Sequence, residues 1–454
     1  MSWSDRRLLL AAVIAWLAVA VLAIILGPPF GHDESAFAIS ARGDGPAWVY
    51  RSYGVRLVAL PGVALGGAEW QLRLISAILG TGVVLAVFAL GRAAFSPRTG
   101  AWGAAVVAGA HPLALRSSEL IGDLPATACI LAGLAVLVGE LGRETGPRWR
   151  LLAAAPAFAA AFYLRYGSAP LIAITAGTAA LIWWRAILLQ PLRVLATAAL
   201  FSALMAPHFL QSLHETGSLL GILDVSSRMP RRAYAGEGLV TYITSNPFQF
   251  YGALVAPLMI CGLVGLVRLP GEWRPRVFLG IVAIGQLVAL GMQTHAQPRY
   301  VFCATLILVL LGIDALERFG PVRLRPLALP LVIAAWLGVV VAVPFYTRFL
   351  SDARRPIAAA ADAIRTDAAG RPCLVVAKAV TQLMWYSGCR EHLLRDFDRV
   401  PAWTAHPVDY VVSSRRIAVQ IGALLEAVPG TATALPVASE NAEVWRVAPA
   451  SPTR

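Results

Sequence analysis

The amino-acid sequence predicts a polytopic α-helical membrane protein that ends in a small α/β domain. Of its 454 residues, 58% are hydrophobic and only 14% are charged, and the mean hydropathy is +0.68. Apolar runs close to the length that crosses a bilayer recur from residue 8 to residue 346. Beyond residue 346, charged residues return and the pattern becomes that of short alternating helices and strands. This composition argues against a soluble enzyme.

The first apolar run, 8–26, follows Arg6 and Arg7. It is longer than the core of most signal peptides and lacks a convincing small-residue cleavage site, so it predicts an uncleaved first helix. Ten further runs give about eleven transmembrane helices in all. They lie at 72–91, 101–115, 123–141, 151–164, 168–184, 194–210, 250–267, 277–292, 299–316 and 327–346.

Arginine residues are concentrated in every second loop, as the positive-inside rule requires. The remaining loops include two long ones, 28–71 and 211–249, which we expect to face outward. This pattern predicts a multi-pass inner-membrane protein with a cytoplasmic N-terminus and a periplasmic C-terminal domain. It also accounts for the formal net charge of +13, and therefore argues against a nucleic-acid partner. The Arg-rich segments are 6–7, 92–98, 143–150, 185–193, 268–276 and 318–325.

Two domains follow from this reading: a transmembrane domain, 1–346, and a small α/β periplasmic domain, 347–454. Cys373 and Cys389 both lie in the second domain. In an oxidising compartment they could form a disulfide, and the alternative is two buried free thiols. Within this domain the pattern predicts helices at 358–369 and 417–428 and strands at 373–377, 408–413 and 443–447.

Unusual polar residues collect on the predicted outer side of the membrane. Carboxylates and arginines at such positions are functional candidates by default, although a single one is more often a loop solubiliser or an interface anchor. These residues indicate function because they come from segments far apart in sequence and are all predicted to lie on one membrane face. They are His32, Asp33, Glu34, Arg51, Tyr53, Arg73, Arg116, Glu119, Asp123, Arg165, Arg299 and Tyr300.

Carboxylates and arginines on one membrane face could carry out the transfer of a group from a phosphate donor. A carboxylate can act as general base toward an acceptor hydroxyl or amine, while arginines bind a phosphate and stabilise charge as it leaves. The set suits a lipid-phosphate donor, whose head group lies at the interface. No Gly-rich phosphate loop is present in the apolar part, which argues against a nucleotide sugar. No cofactor is certain, although two acids and His32 could hold a divalent cation.

Several short motifs resemble those of GT-C membrane glycosyltransferases, the group that includes dolichyl-phosphate-mannose protein mannosyltransferases and the aminoarabinose transferases that act on lipid A. The resemblance covers roughly residues 1–346. Two departures are the absence of Pro-Pro in the first loop and an Arg at a position where Lys is common. The matching phrases are Asp33-Glu34 before Phe37-Ala38, Arg51-Ser52-Tyr53-Gly54, Arg73-Leu74-Ile75-Ser76, Asp123-Leu124-Pro125, Arg165-Tyr166-Gly167 and Arg299-Tyr300.

The resemblance implies a transfer of a sugar from a polyprenyl-phosphate donor to a lipid, glycan or protein acceptor at the outer face of the membrane. It implies that Asp33, Glu34 and Asp123 are the catalytic acids. The donor phosphate would be bound by Arg51, Arg165, Arg299 and Tyr300, with His32, Arg73 and Tyr53 in support. Membrane lipids are the remaining expected partners.

Two other function classes stay open from the sequence. A transporter or lipid flippase could line a substrate path with the same charges, but we find no repeat symmetry between two halves of the chain. A scaffold or receptor would have its acids and arginines scattered around the outer rim. The placement of Asp33, Asp123, Arg51 and Arg299 in the structure is the observation that separates these classes.

Overall fold

The computed structural model describes residues 1–44, 51–228, 233–268, 273–321, 323, 325–377, 380–393, 410–414, 430–439 and 441–449. The first half of the chain forms helices α1 Trp3–Leu26, α2 His32–Arg42, α3 Tyr53–Ala64, α4 Glu69–Ala94, α5 Pro97–Ala108, α6 His111–Ala114, α7 Asp123–Leu141, α8 Ala154–Leu164, α9 Ala169–Ile182, α10 Trp184–Leu189 and α11 Pro191–Thr216. The second half forms helices α12 Gly221–Arg228, α13 Glu237–Thr244, α14 Pro247–Phe250, α15 Val255–Arg268, α16 Trp273–Gln293, α17 Phe302–Phe319, α18 Arg325–Ala368 and α19 Val380–Ser387.

All eleven predicted apolar runs fall on helices, and the chain is a multi-pass helical membrane protein. Among the described residues, seven helices are long and apolar enough to cross a bilayer, namely α1, α4, α7, α11, α16, α17 with the turn before it, and α18. The other four runs fall on shorter helices, α5, α8, α9 and α15. The predicted fold class is therefore confirmed.

The chain divides into two compact units. The first, which we call the membrane unit, comprises Met1–Ile24, Ala47–Val58 and Arg73–Val343. The second unit comprises Ile25–Pro46, Ala59–Leu72 and Pro344–Arg454. The second unit therefore includes two pieces of the loop 28–71 in addition to the C-terminal region that the sequence indicated.

Helix α17 lies at the centre of the membrane unit. Every residue from Phe302 to Ala315 is buried, because α15, α16, α5 and α7 pack around it. A helix that is apolar on all faces is stable only when it is enclosed in this way. Charged side chains occur near its two ends. Arg299 lies just before the helix, and Asp314 lies near its C-terminal end.

A mixed five-stranded sheet forms the C-terminal part of the second unit. Its strands are β1 Leu374–Ala377, β2 Arg390–Leu393, β3 Tyr410–Ser414, β4 Gly430–Leu435 and β5 Ala442–Pro449, in the order β2-β1-β3-β5-β4. β1 pairs with β2 and β3 in parallel, whereas β5 pairs with β3 and β4 antiparallel. The apolar face of α18 packs on this sheet through Ala360, Ala361 and Ile364.

One boundary predicted from the sequence is wrong. We expected separate helices at 327–346 and 358–369, but α18 is continuous from Arg325 to Ala368. The intervening segment is polar, and polarity alone does not break a helix. It is instead stabilised by pairs at helical spacing, such as Arg348 with Asp352. The predicted helix at 417–428 and residues 408–409 lie outside the described residues.

Candidate active site

The site in the membrane unit is built around the first residue of α7. Asp123 lies in the first turn of this helix, where the helix dipole favours a negative charge. The preceding residue, Gly122, lies against the backbone carbonyl of Leu164. A Cβ at position 122 would collide with that carbonyl, so glycine is required for the close approach. This contact brings the start of α7 to the end of α8.

Arg165 follows α8 directly and pairs with Asp123. Its backbone is extended, which ends the helix, and its Nη1 atom forms an ion pair with Asp123 Oδ1. A second arginine reaches the same carboxylate, with Arg299 Nη1 at 3.9 Å from Asp123 Oδ2. Arg165 Nη1 also donates to the backbone carbonyl of Arg299 at 3.2 Å. One carboxylate is therefore shared by two guanidinium groups, and the cluster keeps a formal excess of one positive charge.

An aromatic ring supports both arginines. The guanidinium carbon of Arg165 lies 4.6 Å from the ring centre of Tyr300, and that of Arg299 lies 5.6 Å from it. Such cation–π contacts each contribute roughly 0.5–2 kcal/mol, depending on exposure. Gln297 Oε1 accepts a hydrogen bond of 2.6 Å from Arg299 Nε. These contacts fix the direction in which Arg299 points.

A piece of the first outer loop joins this cluster. The backbone N–H of Tyr166 donates to Ser52 Oγ at 3.1 Å, so the segment that contains Arg51 and Tyr53 lies beside the residue that follows Arg165. Arg51 is half-buried and Tyr53 is exposed. The structure therefore brings together Asp123, Arg165, Arg299 and Tyr300, and it holds the Arg51 segment next to them.

The other predicted residues of the membrane unit lie on the same side of the bundle. Arg73 is buried in the early part of α4, and Ser76, one turn later, donates to the backbone carbonyl of Glu119 at 2.5 Å. Glu119 in turn pairs with Arg116 at 2.8 Å. These contacts link α4 to the turn that precedes Asp123.

A tyrosine of the long outer loop also belongs to the cluster. Tyr242 of α13 is buried, and burial raises its pKa to about 12, although a hydrogen bond with Thr294 and the nearby charge of Arg165 act in the opposite direction. The phenol is neutral at physiological pH and can take part in hydrogen bonds. In the sequence this residue is marked only by its place in the outer loop.

The Asp33–Glu34 pair belongs to the second unit, where it begins helix α2. Glu34 Oε2 accepts from the backbone N–H of Gly31 at 2.8 Å and from Arg354 Nη1 at 3.0 Å. His32 Nδ1 lies 2.7 Å from Thr381 Oγ1. The Glu34 carboxylate is therefore paired with the Arg354 guanidinium. The described residues contain no group of three or more His, Cys, Asp or Glu positioned around a metal ion.

The sequence did not predict which residues orient the candidate ones. Gln297 accepts from Arg299, Ser52 accepts from the Tyr166 backbone, and Arg354 donates to Glu34. Gln297 stands out in the sequence as a polar residue two positions before Arg299. Arg354 does not, because it is one of several arginines on a long helix. Cys373 and Cys389 form a disulfide in the second unit.

The chain is similar to known proteins in part of its sequence and in its fold. A family model described as dolichyl-phosphate-mannose-protein mannosyltransferase matches residues 57–210, about a third of the chain. No curated protein sequence matches. Among solved structures, ArnT from Cupriavidus metallidurans bound to undecaprenyl phosphate aligns with a TM-score of 0.69 and 16% identity, over 98% of this chain and 99% of ArnT.

Two larger proteins align as well. The archaeal oligosaccharyltransferase AglB from Archaeoglobus fulgidus, in complex with an inhibitory peptide and a dolichol-phosphate, gives a TM-score of 0.55 and 14% identity over 91% of this chain and 70% of AglB. Arabinofuranosyltransferase AftD from Mycobacteria gives 0.53 and 16% over 99% of this chain and 40% of AftD. At these identities the alignments establish the fold alone.

Proposed function

The chain has the fold of the GT-C glycosyltransferases, and from this premise we propose that it transfers a sugar from a polyprenyl-phosphate donor to a lipid, glycan or protein acceptor. The observation that carries the proposal is the cluster of Asp123, Arg165 and Arg299, which joins three distant segments of the membrane unit. The similar structures that contain undecaprenyl phosphate and dolichol-phosphate support a donor of the same class.

The two arginines suit the phosphate of such a donor. In a polyprenyl-phosphate sugar the phosphodiester has one negative charge, and breaking the bond between the sugar and the phosphate oxygen leaves a phosphomonoester with a second charge. Arg165 and Arg299 would stabilise the charge that develops on the leaving oxygen. Arg side chains present planar, always charged donors that match phosphate geometry. Their alignment by Tyr300 and Gln297 means that little reorganisation is needed during the reaction.

Asp123 would orient the arginines rather than take a proton. Its carboxylate contacts Arg165 and lies within ion-pair distance of Arg299, so its charge keeps both guanidinium groups on one side of Tyr300. Arg51 would provide a further positive charge from the adjacent loop segment, with Tyr53 and Arg73 in support. The ion pairs within the membrane unit support the role of Asp123.

Asp33 is our candidate for the general base. It would accept the proton of the attacking hydroxyl or amine while the new bond to the sugar forms. Glu34 already accepts hydrogen bonds from Gly31 and Arg354, which suits a supporting role in holding α2. The assignment of Asp33 rests on the motif in the first outer loop and on this division of labour between the two neighbouring acids.

We further propose that the protein lies in the inner membrane with its N-terminus in the cytoplasm. The alternation of arginines between loops supports this orientation. The transfer would then occur at the periplasmic face, where the second unit would also lie. An oxidising compartment of this kind is also where the Cys373–Cys389 disulfide is stable.

The test is a transfer assay with purified full-length protein in lipid nanodiscs. A panel of polyprenyl-phosphate sugars is supplied with a cell-envelope lipid extract as acceptor, and released polyprenyl phosphate is measured by mass spectrometry. Parallel samples with EDTA measure metal dependence. We expect release of lipid phosphate with at least one donor. Movement of intact donor across the bilayer of proteoliposomes without release, for every donor in the panel, would contradict the proposal and favour a flippase.

A further inference from the structure

The contacts of helix α2 are concentrated on one short helix of the C-terminal region. Helix α19 contributes four partners around the segment that contains Asp33, in two pairs one turn apart: Thr381 with Gln382, and Trp385 with Tyr386. We propose that α19 is a positioning element that holds the Asp33–Glu34 helix in the geometry required for transfer. This inference rests on the proposed function for its purpose, but all the contacts that carry it lie within the second unit.

Phe30, which precedes α2, is held by three side chains of α19. Phe30 is fully buried, and its backbone N–H donates to Tyr386 Oη at 2.6 Å. Its backbone carbonyl accepts from Gln382 Nε2 at 2.9 Å. The Phe30 ring lies 5.4 Å from that of Trp385. Both backbone polar groups of this residue are therefore satisfied by α19 side chains, and a buried backbone group without its partner is costly.

His32, the residue before Asp33, is held by Thr381 of α19. Thr381 Oγ1 contacts His32 twice, at 2.7 Å from the ring nitrogen Nδ1 and at 2.9 Å from the backbone carbonyl. The same hydroxyl thus fixes both the imidazole and the peptide that leads into Asp33. The two contacts therefore restrain the residue that directly precedes Asp33.

The residue after Asp33 is held by α18. Arg354 Nη1 donates to the Pro29 carbonyl at 2.7 Å and to Glu34 Oε2 at 3.0 Å. A Cβ on Gly31 would lie only 2.8 Å from Arg354 Nη2, so the absence of a side chain at Gly31 allows the guanidinium to reach Glu34. Asp33 therefore lies between two neighbours whose side chains are both held by the C-terminal region.

The far end of α2 is held by Trp385 of α19. The guanidinium of Arg42 lies 4.0 Å from the ring centre of Trp385, and Arg42 Nη2 donates to the Gly67 carbonyl at 2.5 Å. Trp385 Nε1 donates to Glu69 Oε1 at 3.2 Å. Trp385 thus contacts Phe30, just before α2, and Arg42, the last residue of α2. Contacts at both ends limit tilting of the helix.

The disulfide explains how so short a helix can hold another. Cys373 precedes β1 and Cys389 follows α19, so their bond closes a loop that contains both elements. Cross-linking a loop of this size restricts the conformations available to it. Because general-base catalysis loses about 100-fold for a misplacement of roughly 1 Å, a rigid α19 has a direct value for transfer.

The experiment compares two Tyr→Phe variants of the full-length protein. Tyr386→Phe removes the hydroxyl that accepts from Phe30. Tyr410→Phe removes a hydroxyl that donates to Asp367 at 2.7 Å in the same unit, away from α2. We expect Tyr386→Phe to lower kcat about tenfold with the KM for donor unchanged within twofold, while Tyr410→Phe leaves both unchanged. Thr381→Val should behave like Tyr386→Phe, and Thr381→Ser, which keeps the hydroxyl, should restore activity.

Hydrogen exchange provides a second readout that does not depend on activity. Amides of residues 32–42 should exchange faster in Tyr386→Phe than in Tyr410→Phe or the wild type. Wild-type kcat in Tyr386→Phe, or equal losses of kcat in both Tyr variants, would overturn the proposal. If the wild-type protein releases lipid phosphate from no donor, the proposed function fails, and the exchange comparison alone then decides whether α19 holds α2: equal exchange in the two variants overturns it.

Discussion

Among the described residues of the membrane unit, two carboxylates are each shared by two arginines. One cluster includes Arg299, just before α17, and the other includes Asp314, near the end of α17. At the end of α17, Asp314 pairs with Arg276 and Arg318, both at 2.9 Å. The Asp314 and Arg276 side chains are each only 4% exposed. Before α17, Asp123 contacts Arg165 and lies 3.9 Å from Arg299, and these side chains are 11%, 21% and 18% exposed. We call Asp314, Arg276 and Arg318 the inner triad, and Asp123, Arg165 and Arg299 the outer triad.

The difference lies in how completely each triad is paired. Both are built from one carboxylate and two guanidinium groups. Arg299 lies in the turn before α17, and Asp314 lies roughly 18 Å along α17 from its first residue, Phe302, given 1.5 Å per residue. The inner triad has two short ion pairs and its central carboxylate is almost sealed. In the outer triad Arg299 lies 3.9 Å from Asp123, both arginines lie near the ring of Tyr300, and all three side chains retain access to solvent. This accessibility is why we propose the outer triad, and not the inner one, for the donor phosphate.

The largest effect should come from breaking the inner triad. Asp314→Asn keeps the volume but leaves Arg276 buried without its counter-charge, which costs about 3–5 kcal/mol. We expect a large fall in the thermal unfolding midpoint in detergent and a low yield of monodisperse protein. Replacing the buried pair by apolar residues, in Arg276→Met with Asp314→Leu, should recover most of the lost stability. A stable but inactive Asp314→Asn protein would show that the two triads do not differ in the way we describe.

The same change in the outer triad should have the opposite result. Asp123→Asn leaves two partly exposed arginines that solvent can still reach, so the unfolding midpoint should stay within a few degrees of the wild type. Transfer should nevertheless fall about 100-fold, because the guanidinium groups lose the charge that aligns them. The release of polyprenyl phosphate measures the rate. An Asp123→Asn protein that unfolds as readily as Asp314→Asn would assign a structural role to both triads.

The sequence was sufficient to predict the helical fold, for a physical reason. Hydrocarbon requires helices of about 20 apolar residues, so the runs on the seven long helices could be read directly, whereas the other four runs fall on shorter helices. The resemblance to GT-C enzymes is confirmed at the level of the fold. The boundary of α18 could not be read, because a change from apolar to polar residues leaves helix propensity intact. The assignment of 25–46 and 59–72 to the second unit depends on tertiary contacts that no local pattern encodes.

The outer triad was partly predictable and the inner triad was not. Asp123, Arg165 and Arg299 interrupt or begin apolar runs, so each attracts attention in the sequence. Arg276 lies among other arginines that read as a cytoplasmic loop, yet the structure buries it against Asp314. Sequence position records where a charge occurs along the chain, whereas pairing depends on which helix faces it. For the same reason the contacts of Thr381 and Tyr386 with α2 could not be anticipated.

The smallest effect should come from exchanging arginine for lysine in each triad. Arg299→Lys keeps the charge but loses the planar donors and the stacking on Tyr300, so transfer should fall about tenfold, mainly through kcat. Arg318→Lys is the matched control, because Arg318 is 44% exposed and joins Asp314 at helical spacing, where an ion pair is worth little. We expect it to change neither activity nor the unfolding midpoint. Equal losses of transfer in both variants would mean that the two triads contribute alike and that the accessible pairing at Arg299 has no special part in binding the donor phosphate.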